Sequence, residues 1–107
     1  MKIKIQSIHF DADRKLVEFI TEKVLKLEHY HDKIIDATVY LKLNNHHTKA
    51  NKHVEIKINI LHSTLFKDAE AETFEAATDI VMDTLKVQIR KHKERLLEKT
   101  QKILSNS

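Results

Sequence analysis

The residues best suited to do chemistry in this sequence are the cations of one stretch, DTLKVQIRKHKERLLEK, which runs from Asp83 to Lys99. Six Lys or Arg residues lie there between apolar residues that recur at helical spacing. Lys86, Arg90 and Lys93 follow one another at intervals of four and three residues, so a helix places them in one stripe. Cations arranged in this way are suited to binding phosphate groups, although the same pattern is also typical of a solvated helix face.

Neighbouring polar residues extend this candidate surface. Lys91 and Arg95 form a second stripe, which we expect to lie beside the first. Gln88 and His92 are expected either to donate hydrogen bonds to sugar or base groups or to border the hydrophobic core. Both alternatives are compatible with their positions between the apolar residues of the helix.

Two lysines of an earlier helix are expected to join the surface if the two helices pack side by side. Lys23 and Lys26 are three residues apart and therefore share a helix face. The charge distribution agrees, because residues 84–107 carry a net charge of +5 and the first 83 residues carry −2. Complementing the helix dipole requires cations only in the last turn, and Lys86 and Arg90 lie deeper than that. The residues alone leave both a nucleic-acid surface and a solvated face open.

The elements that must position these residues follow from the apolar pattern. Alternation with a period of two predicts strands at KIKIQSI, IIDATVYLKL, HVEIKINIL and TLFKDAE, and a stripe at helical spacing predicts a helix in DADRKLVEFITEKVLKLEHY with Asp11 or Asp13 as its N-cap. A second helix is predicted from about Thr73 to about Leu97. The order β-α-β-β-β-α predicts a two-layer α+β fold with two helices on one face of a four-stranded sheet. We expect a single domain over residues 1–98 and a frayed tail over 99–107.

The composition excludes several classes of site. The 107 residues contain no glycine, proline or cysteine, which removes glycine-rich phosphate loops, nucleophile elbows and thiol chemistry. No apolar run approaches the roughly 20 residues of a membrane span. Adjacent His46 and His47, with His53 nearby, are weak evidence for a metal site because no cysteine or helical histidine pair supports them. We expect a cytoplasmic protein that is not an enzyme and has no cofactor, metal, membrane or small-molecule substrate.

The element order and three strings resemble the ribosome hibernation-promoting factors, also called ribosome-associated inhibitors or the sigma-54 modulation/S30EA family. The strings are MKIKIQSIHFDADRKLVEFITEKVLKLE, NKHVEIKINI and TFEAATDIVMDTLKVQIRKHKE, and the likeness covers roughly residues 1–98. Its most specific part is the pattern of the second helix, which is carried by Asp79, Asp83, Leu85, Gln88, Ile89, Arg90, Lys91, His92 and Lys93.

The resemblance implies a fold related to double-stranded-RNA-binding domains and a role in ribosome hibernation. Such factors lie in the decoding channel of the small ribosomal subunit over 16S rRNA, where they block mRNA and tRNA sites and inhibit translation in stationary phase or stress. The chain resembles a short form, and a second hibernation factor is a further conceivable partner. The expected rRNA-binding residues are Lys23, Lys26, Lys86, Gln88, Arg90, Lys91, His92 and Lys93.

A protein-interaction module is the alternative, in which the chain modulates a sigma factor or another protein partner. The polar face of the predicted sheet offers a surface for such a partner. Salt separates the two hypotheses, because binding through rRNA phosphates weakens steeply with ionic strength and an apolar protein interface does not.

Overall fold

The structure, a computed structural model, describes residues 1–44 and 48–105, with side chains through residue 102. It has four strands, two α-helices and one short 3-10 helix. The elements are β1 (Lys2–Ile8), α1 (Arg14–Leu25), the 3-10 helix (Lys26–His29), β2 (Ile34–Leu43), β3 (Lys52–Ile60), β4 (Ser63–Ala71) and α2 (Phe74–Ser105). The predicted α+β class and element order are confirmed. Within the described residues, no helix has the length and apolar character needed to cross a lipid bilayer.

The four strands form one mixed sheet in the order β1-β2-β3-β4. Strand β1 pairs with β2 in parallel, with Ile5 opposite Val39, and α1 supplies the crossover that a parallel pair requires. Strands β2, β3 and β4 are antiparallel neighbours. Both α-helices therefore follow strands that point the same way. Their N-terminal ends meet at the end of the sheet where β1 and β4 finish, and the rings of Phe10 and Phe74 stack there with centroids 5.2 Å apart.

Both helices bury their apolar stripes against one face of the sheet. Leu16, Ile20, Val24 and Leu27 are all buried, as the helical spacing predicts. The side chain of Asp13 begins α1 by accepting a hydrogen bond of 2.8 Å from the Leu16 N–H, which settles the choice of N-cap. The same core includes the buried residues of the middle strands and of α2, namely Ala37, Val39, Leu41, Val54, Ile56, Ile58, Ile60, Phe74, Ala77, Val81, Met82, Leu85 and Ile89.

Two local predictions are wrong. Helix α2 continues to Ser105 instead of ending near Leu97, so the segment predicted as a frayed tail is helical to that residue. The alternation of IIDATVYLKL predicts that Leu43 points inward like Val39 and Leu41, but Leu43 is 43% exposed because it lies at the end of β2. Among the described residues, positive φ occurs at His9 and His62.

The opposite face of the sheet is polar and open. On β3, Val54 and Ile56 are buried, whereas the alternating Lys57 points away from the core and is exposed. No element among residues 1–44 and 48–105 covers this face, so Lys4 is exposed and Phe66 is half-exposed. The candidate basic residues of α1 and α2 therefore lie on the helical layer, on the other side of the molecule.

Candidate nucleic-acid interface

A groove separates the C-terminal part of α1 from the middle of α2. Its volume is about 360 Å³, and its lining is formed by Lys23, Lys26, Tyr30, Asp79, Met82, Asp83 and Lys86. The apolar stripes of both helices face the sheet, so the residues at the edges of those stripes face each other across this groove. The structure thus brings together three of the predicted rRNA-binding lysines, which come from α1, the 3-10 helix and α2.

The three lysines of the groove differ in how accessible their ammonium groups are to an anion. The Nζ atom of Lys23 lies 3.5 Å from the Oδ1 atom of Asp79 and 5.4 Å from the centre of the Phe19 ring. Lys23 is therefore partly neutralised and partly buried. Lys26 is exposed, and Lys86 is half-buried in the wall of the groove. A phosphate entering the groove would meet Lys26 and Lys86 first.

Arg90 is held at the rim of the groove by an aromatic ring. Its guanidinium carbon lies 4.9 Å from the centre of the Tyr30 ring, within the range of a cation–π contact. The contact holds the planar guanidinium against the ring, which leaves other donors free for a phosphate or for stacking on an unpaired base. Tyr30 is not among the residues predicted from the sequence to bind rRNA. Its position directly after the 3-10 helix, one turn beyond Lys26, was the available signal.

His92 faces inward and pairs with His31. The Nε2 atom of His31 lies 3.1 Å from the Nδ1 atom of His92. The Nδ1 atom of His31 accepts a hydrogen bond of 3.1 Å from the Lys33 N–H, so in the neutral pair Nε2 of His31 carries the proton and donates it to His92. Burial, followed by the nearby charges of His92 and Lys93, lowers the pKa of His31, and Asp32 acts in the opposite direction. His92 therefore supports the interface from beneath.

The remaining predicted residues occupy different positions around α2. Lys93 is exposed on the side of His31, close to the groove. Gln88 is half-buried, and its side-chain carbonyl oxygen is buried without a hydrogen-bond partner, so it borders the core. Lys91 is exposed, but about 100° of rotation per residue places it on the opposite flank of the helix from Lys86 and Lys93. The expectation that Lys91 and Arg95 form a stripe beside the first one is wrong.

The other end of the helical layer is acidic. A groove of about 540 Å³ lies where the two helices begin, and its rim includes the carboxylates of Asp11, Asp13 and Glu75 around the stacked Phe10 and Phe74. Acids at helix N-termini complement the helix dipole. They also repel phosphate, so contacts with a polyanion must come from the helix bodies and not from the helix N-termini.

Among the described side chains, no metal site is defined as clearly as the groove. No group of three or more His, Asp or Glu residues in the described part of the chain is placed to hold a metal ion. His46 and His47, considered above as weak evidence for a metal site, lie outside the described residues. His53, the third of that group, bonds through Nε2 to the Asp68 carboxylate at 2.9 Å. The groove and its Arg90 rim are suited to binding an anionic polymer by charge, hydrogen bonds and stacking.

Comparison with known proteins gives matches that cover most of the chain. Residues 3–97 match the family model described as "Sigma 54 modulation protein / S30EA ribosomal protein". The chain is 30% identical over 95 residues to the ribosome hibernation promoting factor of Pseudomonas putida, covering 89% of each chain. It is 33% identical over 98 residues to the factor of the same name from Escherichia coli K12, covering 90% of this chain and 97% of the relative.

One relative is longer, and the solved structures share the fold. The chain is 30% identical over 99 residues to the ribosome hibernation promotion factor of Bacillus subtilis, of which it spans 52%. The N-terminal domain of Protein Y from Thermus thermophilus superposes with a TM-score of 0.75 at 21% identity, over 86% of this chain and 99% of that one. A ribosomal subunit interface protein from Coxiella burnetii gives a TM-score of 0.74 at 24% identity, over 88% and 99% of the two chains.

Proposed function

Because the chain belongs to the Sigma 54 modulation protein / S30EA ribosomal protein family, we propose that it associates with ribosomes as a hibernation factor. Members of this family are binding proteins and not enzymes. The finer part of the proposal is that the protein binds 16S rRNA in the decoding channel of the small subunit in the cytoplasm. There it would exclude mRNA and tRNA and keep idle ribosomes inactive.

The observation that carries the rRNA assignment is the grouping of four cations from α1, the 3-10 helix and α2 around Tyr30. We name Lys23, Lys26, Lys86 and Arg90 the groove cluster. Each phosphate neutralised by such a residue releases counterions, so affinity for RNA is high at low salt and falls as salt rises. Lys93 lies close to the groove cluster. In this proposal Gln88 and His92 make supporting contacts. Lys91 is assigned to rRNA from the other flank of α2.

Charge reversal tests the proposal with a matched control. Lys86→Glu with Arg90→Glu changes the net charge by the same amount as Lys4→Glu with Lys57→Glu, but the second pair lies on the open face of the sheet. Co-sedimentation with purified small ribosomal subunits in a sucrose gradient measures binding, and circular dichroism checks that each variant is folded. We expect the groove variant to dissociate and the sheet variant to stay bound.

The opposite result identifies the rival function. If the groove variant bound subunits as well as the unaltered protein and the sheet variant did not, the open sheet face would be the interface and the groove assignment would be wrong. If the unaltered protein stayed at the top of the gradient even at low salt, the ribosome would be abandoned as the partner. A protein-interaction module of the kind that modulates a sigma factor would then be the better hypothesis.

A further inference from the structure

Helix α2 carries a second cluster of cations that the groove does not use. Arg95 and Lys99 line a pocket of about 380 Å³ together with His62 of the β3–β4 turn and Ser63 at the start of β4. His92, Leu96 and Thr100 complete the lining of this pocket from α2 itself. We name Arg95, Lys99 and His62 the turn-side cluster. Lys91 lies one turn before Arg95 on the same flank.

The two clusters lie on opposite flanks of one helix. Lys86 faces α1 across the groove, whereas Arg95 faces the β3–β4 turn. An α-helix with its side chains is about 10–12 Å in diameter, so cations extended from opposite flanks are separated by more than that. A single phosphate group cannot contact both clusters. Only a chain of phosphates that passes over the helix, or two separate chains, can do so.

The outward face of α2 disfavours a single chain that passes over the helix. Between the two flanks this face presents Val87, which is 48% exposed. It also carries the carboxylates of Glu94 and Glu98, both exposed. An RNA backbone that crossed here would meet apolar surface and negative charge in place of donors. The cations are thus divided into two strips with an unfavourable strip between them.

The length of α2 makes both flanks accessible at once. Its 32 residues span about 48 Å at 1.5 Å per residue, and Ile89 is its last buried core residue among those whose side chains are described. Beyond Ile89 the helix leaves the core, and Arg95 and Lys99 are exposed on a part that projects from the domain. A projecting helix with cations on both sides can enter a cleft between two polyanions.

From this arrangement we propose that α2 inserts between two separate RNA backbone segments, one held by the groove cluster and the other by the turn-side cluster. The proposal rests on the rRNA-binding function proposed above and adds a second phosphate site to it. The site takes phosphodiester groups and requires no particular base, since Arg95, Lys99 and His62 are suited to contacts with phosphate.

Radical probing from single cysteines tests the two-segment arrangement. The 107 residues contain no cysteine, so an iron chelate attached at Asp83→Cys or at Ser63→Cys occupies one defined place. Asp83 lines the groove and Ser63 lines the turn-side pocket, and neither substitution removes a cation. With purified small ribosomal subunits, we expect each probe to cleave rRNA, at two segments that do not overlap. Cleavage of one common segment by both probes would overturn the proposal.

Charge reversal separates failure of this inference from failure of the proposed function. Arg95→Glu with Lys99→Glu should weaken subunit binding at least tenfold and reduce its dependence on salt, relative to the Lys4→Glu, Lys57→Glu control. Unchanged binding, or absence of cleavage from position 63 while the protein co-sediments, overturns the second site and leaves the groove assignment intact. Failure of the unaltered protein to co-sediment at low salt overturns both.

Discussion

His31 and His92 lie 61 residues apart in the sequence, and their ring nitrogens approach to 3.1 Å in the structure. The pair joins the segment after the 3-10 helix to the basic half of α2. Tyr30 directly precedes His31, and Arg90 lies two residues before His92. The histidine pair and the Tyr30–Arg90 contact therefore join the same two segments of the chain. The position of Arg90 in the groove cluster therefore depends on the joint beneath it.

The buried pair makes stability sensitive to mild acid. Burial and the neighbouring His92 and Lys93 lower the pKa of His31 below its ordinary value of 6.5, with Asp32 opposing the shift. The unfolded chain therefore binds a proton at a pH where the folded chain does not. Stability from this group is complete above pH 6.5 and falls as pH decreases through the unfolded pKa toward the folded one. Urea unfolding at pH 7.5 and pH 5.5 should show a lower unfolding free energy at pH 5.5.

A variant without the buried imidazole provides the control for this pH dependence. His31→Phe should shrink the difference between the two pH values, whatever its effect on stability at pH 7.5, because the protonation that opposes folding has been removed. His29→Phe, two residues earlier and exposed, should leave the difference nearly unchanged. An equal pH dependence in the His31 variant and the unaltered protein would show that another group is responsible.

Removing the aromatic ring beneath Arg90 should weaken RNA binding without abolishing it. Tyr30→Leu removes the surface that holds the guanidinium, and a cation–π contact at an exposed site is worth about 0.5–1 kcal/mol. We expect affinity for small subunits to fall roughly two- to fivefold. Tyr40→Leu, on the open face of the sheet, is the matched control and should keep its affinity. Equal losses in the two variants would show that the ring of Tyr30 has no special role.

Most of the fold was predictable because local patterns in the sequence indicate the strands, the helices and their caps. The alternation of β3 and the helical stripe of α1 each reflect one face turned to one core, and Asp13 lies where its carboxylate reaches the first free N–H groups. The end of α2 was misjudged because the apolar stripe stops where the helix leaves the core. Helix formation continues beyond it in a segment that contains neither glycine nor proline.

The candidate site was only partly predictable, for two different reasons. The contact of Tyr30 with Arg90 and that of His31 with His92 depend on packing between distant segments, which periodicity does not report. The position of Lys91 was available from the sequence. A rotation of about 100° per residue separates it from Lys93 by roughly 160° around the helix. The division of α2 into two basic flanks follows from that count.

Truncation of the Ile89 side chain by Ile89→Ala should destabilise the whole domain. Ile89 is fully buried at the point where α2 leaves the core, and Ile→Ala at buried sites typically costs about 2–5 kcal/mol. Val87→Ala, two residues away and 48% exposed, should change the unfolding free energy by less than about 0.5 kcal/mol. Urea unfolding measures both. A small effect at Ile89 would mean that the basic half of α2 is not anchored there.

Loss of the N-cap of α1 should have a smaller and local effect. Asp13→Ala removes the acceptor of the Leu16 N–H and should lower the unfolding free energy by about 1 kcal/mol. Asp11→Ala removes an exposed carboxylate with the same change of charge and should cost less. The same urea titration distinguishes the two variants. Equal costs would mean that charge near the helix start matters and the cap hydrogen bond does not.

The uncovered face of the sheet gives the molecule a side on which a reporter can be mounted. Thr38 lies on β2 between Lys4 and Lys57, opposite the helical layer that carries both cation clusters. A fluorophore attached there through Thr38→Cys would be the sole thiol conjugate in these 107 residues. It would project away from α2 and leave every charge of the two clusters in place. A fluorescent label on the open face of the sheet would thus report the binding of this protein to ribosomes in real time.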